Sequence, residues 1–222
     1  TSEESDIVDG SSEQDDPLVW FLAAETFLKQ GNLVEAEKAF LGGLQIDPNN
    51  GDAWLRVSSL FMGKHKYDEA IDALEIATKQ MPTNSAAWYQ LGYCFQKLNK
   101  WKQAIQPIRN AIKLEQDNPD YWMLLGLSEF HLGNYQESAK NLLRTLRISP
   151  NHKDALFYLA MCMERRGNRK HALSLYLKLL NLGRLPPGMF ERMAGAFERL
   201  NRPSEARESR RRAGVALNEG IQ

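Results

Sequence analysis

A large apolar residue returns every 34 positions in this chain: Trp20, Trp54, Trp88, Trp122, Leu156 and Phe190 superimpose when the sequence is shifted against itself by that step. The same offset aligns Gly31, His65, Asn99, Gly133, Gly167 and Asn201, then Ala36, Ala70, Ala104, Ser138, Ala172 and Ala206. It also brings Pro48, Pro82 and Pro150 into one column, with Gln116 standing in. A segment this short cannot bury its apolar face alone, so a fixed period of this length means copies stacked on one another. Copies at 17–50, 51–84, 85–118, 119–152 and 153–186 follow without insertion, then a degenerate sixth with a C-terminal capping helix at 187–222; a tail, 1–16, precedes them.

Within a copy the pattern predicts two helices of about a dozen residues each. In the second copy Trp54, Val57, Ser58 and Phe61 have the i, i+3, i+4, i+7 spacing of one helical face, and Ala70, Ala73, Leu74 and Ala77 give another. The break "GKHKY" separates them, prolines in "DPNN" and "MPTN" end the second helix, and an acid just before the next tryptophan suits a helix start.

Composition fits such a stack, with 43% hydrophobic and 25% charged residues and a mean hydropathy of -0.48. The longest apolar run, "LVWFLAA", is far too short to cross a bilayer. Formal charge is zero, but it is segregated: residues 1–16 carry seven acids and no base, so the remaining 206 hold 28 bases against 21 acids. The chain reads as soluble and leans towards the cytoplasm. It begins at Thr1 rather than methionine, which leaves room for an upstream signal or anchor.

A large residue at copy position 4, leucine-glycine at 7 and 8 (Leu91-Gly92, Leu125-Gly126), an aromatic at 11 (Phe27, Phe61, Phe95), a turn at 15 and small residues at 8 and 20 make a specific signature. With it the chain resembles a tetratricopeptide repeat protein over about 200 residues. The resemblance implies an all-α, right-handed superhelical solenoid of antiparallel helix pairs, its first helices lining a concave groove. The sixth copy departs from the pattern: Arg210 takes the usually buried position 24, Pro203 sits at the turn and Gly214 replaces an apolar residue, so it reads as a polar cap.

Nothing in the sequence suggests an enzyme, a cofactor or a metal. The four histidines occupy unrelated copy positions, and no HExxH, HxxxH, CxxC, GxGxxG or GxxxxGK[ST] pattern occurs. Cys94 and Cys162 share position 10 two copies apart, on the order of 20 Å if each helix layer adds roughly 10 Å, whereas a disulfide needs Cα atoms within about 7 Å. Buried, reduced thiols are expected. The glycine pair in "FLGGL" reads as close helix packing, and Pro107 should bend or loosen the second helix of the third copy.

A second stripe on the first helices is more informative, because packing through positions 4, 7, 8 and 11 does not oblige it to be apolar. Position 5 holds Phe21, Leu55, Tyr89, Met123 and Phe157; position 9 adds Tyr93, Leu127 and Met161; position 12 adds Leu28, Met62 and Phe130. By the resemblance this stripe faces the groove, and an apolar surface of that size suits an apolar peptide or amphipathic helix of a partner protein. Tetratricopeptide domains that hold chaperone carboxyl termini place lysine, asparagine and arginine at set positions, where the first window here offers Phe21, Glu25, Arg56, Ala86 and Gln90. The second window offers Leu55, Ser59, Gln90, Asp120 and Leu124, so neither clamps a carboxylate in that way.

The inter-helix turns are basic. Lys29, Lys64, Lys66, Lys97, Lys100, Lys102, Arg165, Arg166, Arg169, Lys170, Arg199 and Arg202 stand at positions 13 to 18 against one acid, Asp68. Bases near a helix C-terminus complement its dipole for about 0.3 to 1 kcal/mol each; docking of the acidic tail, an acidic partner or anionic lipid is the competing account. Without interleaved aromatics the edge does not suit nucleic acid. In "RESRRRA", 207–213, Glu208 is placed to pair with Arg212 one turn on. The expectation is a scaffold, adaptor or chaperone-like module, with self-assembly into a homo-oligomer, the groove accepting a segment of a neighbouring copy, as the alternative.

Overall fold

The computed structural model describes residues 16–183 and 185–218, with side chains as far as Val215. The acidic tail, apart from Asp16, and its docking lie outside the described residues. Twelve helices, and no strand, occur among the described residues, taken in consecutive pairs. The pairs are α1 (Pro17–Lys29) with α2 (Leu33–Ile46), α3 (Gly51–Gly63) with α4 (Tyr67–Gln80), α5 (Ser85–Lys97) with α6 (Trp101–Leu114), α7 (Pro119–His131) with α8 (Tyr135–Ile148), α9 (Lys153–Arg165) with α10 (Arg169–Leu182), and α11 (Pro187–Arg199) with α12 (Pro203–Asn218). They gather into two compact units, Thr1–Leu114 and Glu115–Gln222.

The 34-residue step is visible in the polar contacts that start and stop each helix. Asp16, Asn50, Asn84, Asn118 and His152 are the caps of five first helices, each side chain accepting a backbone N–H of the first turn at 2.9 to 3.2 Å. Four residues on, the indoles of Trp54, Trp88 and Trp122 donate to the carbonyls of Pro48, Pro82 and Gln116 at 2.8 to 2.9 Å, tying each first helix to the turn before it. These tryptophans are half-buried and work as clasps rather than as the centre of the core.

Gly31, His65, Asn99, Gly133, Gly167 and Asn201 all adopt the left-handed conformation, with φ from 57 to 81°. That conformation ends the first helix and turns the chain into the second, and only glycine takes it without a Cβ clash. Nothing lies within 4 Å of where a Cβ on Gly133 would stand, so the cost of a side chain there is backbone alone. Gly133→Val should therefore lower stability by about 1–2 kcal/mol in urea melts, and Gly133→Asn by less than half of that. Equal losses for the two would show that backbone handedness does not govern this turn.

In each unit the core is built of large side chains received by small ones. Phe40, Leu74, Ile108, Leu142 and Tyr176, one per 34-residue step, are among the most deeply buried groups. A Cβ built on Gly92 would stand 2.5 Å from Ile108, and one on Gly126 2.9 Å from Leu142. Gly42 and Gly43, the pair in "FLGGL", meet the rings of Trp20 and Phe21 in the same way, at 2.7 and 2.5 Å, which accounts for both glycines by close packing. Pro107 lies buried inside α6, which runs unbroken from Trp101 to Leu114. At the corresponding step in α12, Arg210 is exposed and pairs with Glu198 at 2.7 Å, and Pro203 opens α12 at its first position.

Cys94 and Cys162 are free and fully buried. Burial pushes the Cys94 thiol up to about 12, and it raises Cys162 as well, against the lowering effect of the Ser138 hydroxyl. The Cys162 thiol donates to Ser138 Oγ at 3.3 Å, and that hydroxyl donates to the Gly126 carbonyl at 2.7 Å, so the sulfur completes a polar link across α9, α8 and α7. With a pKa of about 12, on the order of one Cys94 in ten thousand is thiolate at pH 8. Both cysteines should resist a maleimide in the native protein and react within seconds once denaturant is added. Fast labelling of the native chain would contradict this burial.

Candidate functional site

In the unit Glu115–Gln222, α7, α9, α10 and α11 enclose an open cavity of about 760 Å³. Its wall is aromatic. Phe130 stands edge-on to Tyr158 and Tyr135 with ring centroids 5.2 and 5.5 Å apart, and Phe157 stands edge-on to Tyr158 and Tyr176 at 5.6 and 6.2 Å. Met161 adds an adaptable apolar surface, and Gly195 of α11 leaves the adjoining wall without a side chain. At the 34-residue step before it stands Met161, and before that Leu127.

The polar side of the cavity is organised around Glu164. Arg199 donates to it through Nε at 2.6 Å and Nη2 at 3.3 Å, and the buried Tyr176 hydroxyl donates at 3.2 Å. Burial, first of all, and the adjoining Glu164 carboxylate hold the Tyr176 phenol far above its ordinary value, so it remains a donor. Burial and the nearby Arg192 guanidinium hold His131 below the ordinary imidazole value. Arg165, Glu191 and Arg192 complete the rim. Among the described residues no three of His, Cys, Asp and Glu gather as a metal ion requires.

The eleven stripe residues fall into the two units. In the first, Phe21, Leu28, Leu55, Met62, Tyr89 and Tyr93 are half-buried, and Phe21 and Leu28 pack against the core of α1 to α4. Tyr89 and Tyr93 lie ring to ring at 6.4 Å, and Lys97 sits 5.0 Å over the Tyr93 ring, whose hydroxyl raises the pKa of that ammonium. A smaller cavity of about 390 Å³ adjoins Phe21 and Leu55, but Glu25, Asn50, Asp52, Arg56 and Gln90 make it polar. In the second unit Met123, Leu127, Phe130 and Met161 are half-buried. Phe157 departs from them: at 3% exposure it belongs to the core cluster of α9 to α12, although its ring also lines the large cavity. The stripe is thus less open than the pattern alone suggests, because neighbouring helices cover part of each side chain.

Much of the basic edge is neutralised within the chain, mostly by acids outside the turn positions. Lys64 pairs with Glu37 at 2.6 Å, Lys66 with Glu69 at 3.5 Å, Lys100 with Asp68 at 2.9 Å, Arg199 with Glu164, and Arg202 with Glu205. Lys102, Arg165, Arg166, Arg169 and Lys170 have no ion pair among the described residues. In "RESRRRA" Glu208 receives Arg212 at 2.7 Å and Arg211 at 2.8 Å, which makes it an ion-paired helix face. What the turn positions miss is the acid supplied by a second helix or by the neighbouring pair.

Antiparallel helix pairs recurring at a 34-residue step, with small residues receiving large ones and a left-handed turn inside each pair, define a tetratricopeptide repeat protein. The family model described as the Cilia and flagella-associated protein 70 C-terminal domain matches residues 2–220, and the chain belongs to that family. A comparison with curated protein sequences gave no match. Among solved structures, the chain is similar to the MamA protein at 23% identity and a TM-score of 0.71, covering 74% of this chain and 90% of that one. It is also similar to YrrB, described as a TPR protein with an unusual peptide-binding site, at 21% identity and a TM-score of 0.72, covering 77% and 88%. PilF of Pseudomonas aeruginosa aligns at 18% identity with a TM-score of 0.69, covering 95% and 93%. At these identities the likeness is one of fold.

Proposed function

We propose that this chain is a non-enzymatic interaction scaffold whose first helices hold an apolar peptide or an amphipathic helix of a partner protein. The observation that carries this reading is the aromatic cavity of about 760 Å³ beside Met161, open to solvent and lined by stripe residues. Such a surface can bury a large side chain of a partner, each worth roughly 1.5–3 kcal/mol. The YrrB structure, described by its peptide-binding site, supports the class of activity, and no helix among the described residues is long and apolar enough to cross a membrane. The six-copy division of 17–222, each copy one helix pair, is the arrangement on which the stripe is mapped. Met161→Glu tests the proposal against Leu143→Glu, which changes an exposed leucine away from the cavity. Proteins retained from native lysate by the wild type and by Leu143→Glu should be lost from Met161→Glu. Retention by all three would overturn it.

Self-association is favoured by a different surface. Leu18 and Leu22 of α1 are 68% and 71% exposed, with Val19 beside them and Leu33 and Val34 of α2 also open. At the 34-residue steps from Val19, Ala53, Ala87 and Ala155 are buried. Sedimentation velocity over a wide concentration range should then show a dimer that Leu18→Ser with Leu22→Ser abolishes; a monomer at every concentration would exclude this reading.

A further inference from the structure

The charges around the cavity narrow the kind of segment it suits. Eight charged or titratable groups face it: His131, Tyr158, Glu164, Arg165, Tyr176, Glu191, Arg192 and Arg199. Glu164 is already satisfied by Arg199 and the Tyr176 hydroxyl, and those contacts in turn neutralise Arg199. Arg165 and Arg192 are left, neither with an ion pair among the described residues, against the single acid Glu191. The surroundings have the same sign. Glu115–Gln222 holds 17 Lys and Arg against 12 Asp and Glu, and Arg165 continues along the turn into Arg166, Arg169 and Lys170. Arg169 and Lys170 stand at the start of α10, whose first turn holds no acid; there the helix dipole opposes a cation, so dipole complementarity does not account for them.

Resting on the docking proposal, we infer that this cavity takes a partner segment in which carboxylates flank a large apolar side chain, the aromatic wall holding the apolar group and Arg165 and Arg192 the acids. A wholly apolar segment would cover two guanidinium groups with no counter-charge, and a basic one would meet them with like charge. An acidic segment without an apolar anchor would leave the rings of Phe130 and Tyr158 wet and gain only exposed ion pairs, which contribute little. Only the combination satisfies both walls, and guanidinium is the cation whose planar donors fit a carboxylate. Gly195 leaves space for the anchor: a Cβ there meets only Arg199 Nη1, at an ordinary 3.5 Å, so a larger side chain fits the fold while filling the cavity.

The test uses the full chain and three fluorescein-labelled synthetic peptides, EDWLDE, KRWLRK and EDSGDE, read by anisotropy near physiological salt. EDWLDE should bind at least about tenfold more tightly than either of the others. Arg192→Glu and Gly195→Leu should each weaken it by about tenfold or more, with melting curves unchanged, while Arg192→Lys costs about threefold or less. Should Arg192→Glu disturb folding, Arg165→Glu takes its place. Equal binding of KRWLRK would overturn the inference while leaving the docking proposal standing, since that proposal is tested separately, by Met161→Glu. No binding of EDWLDE, or binding that Gly195→Leu leaves intact, would overturn it as well. A peptide of residues 1–16 that displaces EDWLDE at lower concentration would assign the cavity to the chain's own tail and overturn the partner assignment.

Discussion

Replacing Leu142 by alanine is expected to remove about 3–5 kcal/mol of folding stability, while the same change at its neighbour Leu143 removes less than about 0.5 kcal/mol. The two leucines are adjacent on α8 and share helix propensity, so the difference isolates burial. Leu142 is 0% exposed and sits against Gly126, where a Cβ would come within 2.9 Å of it; Leu143 is 45% exposed. Alanine at 142 loses the transfer free energy of the isobutyl group and leaves a void that the rigid helices α7 and α9 close only in part. Urea melts read this directly. A loss below about 1 kcal/mol at Leu142 would mean that the large residue at this step does not anchor its helix pair.

That periodic set was legible in the sequence, because repetition turns a weak preference into a strong one. A single leucine at position 24 says little, but Phe40, Leu74, Ile108, Leu142 and Tyr176 at one step say that something must be filled, and Gly92 and Gly126, opposite Ile108 and Leu142, say by what approach. The left-handed turn was legible for the same reason: Gly31, Gly133 and Gly167 alternate with asparagine and histidine, the residues that best tolerate that conformation. Other features were equally periodic and were missed. The asparagines at 50, 84 and 118 cap three first helices, ahead of the acid just before the next tryptophan by which the pattern marks a helix start.

The candidate site was read less completely, for a physical reason. Periodicity reports which residues point the same way, and does not report what covers them. Phe157 shares its step with Tyr89 and Met123, yet it is buried because Tyr176 and the helices after it close over it. Charges at the turn positions look uncompensated along the chain because Glu37 and Glu164, which neutralise Lys64 and Arg199, lie 27 and 35 residues away. The cavity itself depends on Gly195, which replaces the larger Met161 and Leu127 of the preceding steps, and on Glu191 and Arg192, which belong to no periodic set.

The measurement that bears most directly on the account compares two pairs of substitutions made two residues apart. Tyr93→Glu with Leu127→Glu alters the half-buried stripe, one position in each compact unit; Leu91→Glu with Leu125→Glu alters positions that are each 4% exposed. Burying two carboxylates among apolar side chains costs several kcal/mol each, so the second pair should abolish cooperative folding. The first pair should cost about 2 kcal/mol at most, since part of each side chain is already in water and Lys97 stands within reach of a carboxylate at 93. Its effect on the retention of partner proteins should be much larger, a loss of about 3 kcal/mol or more from two missing anchors. If the first pair unfolds the protein as completely as the second, the stripe is core, and the docking account is contradicted.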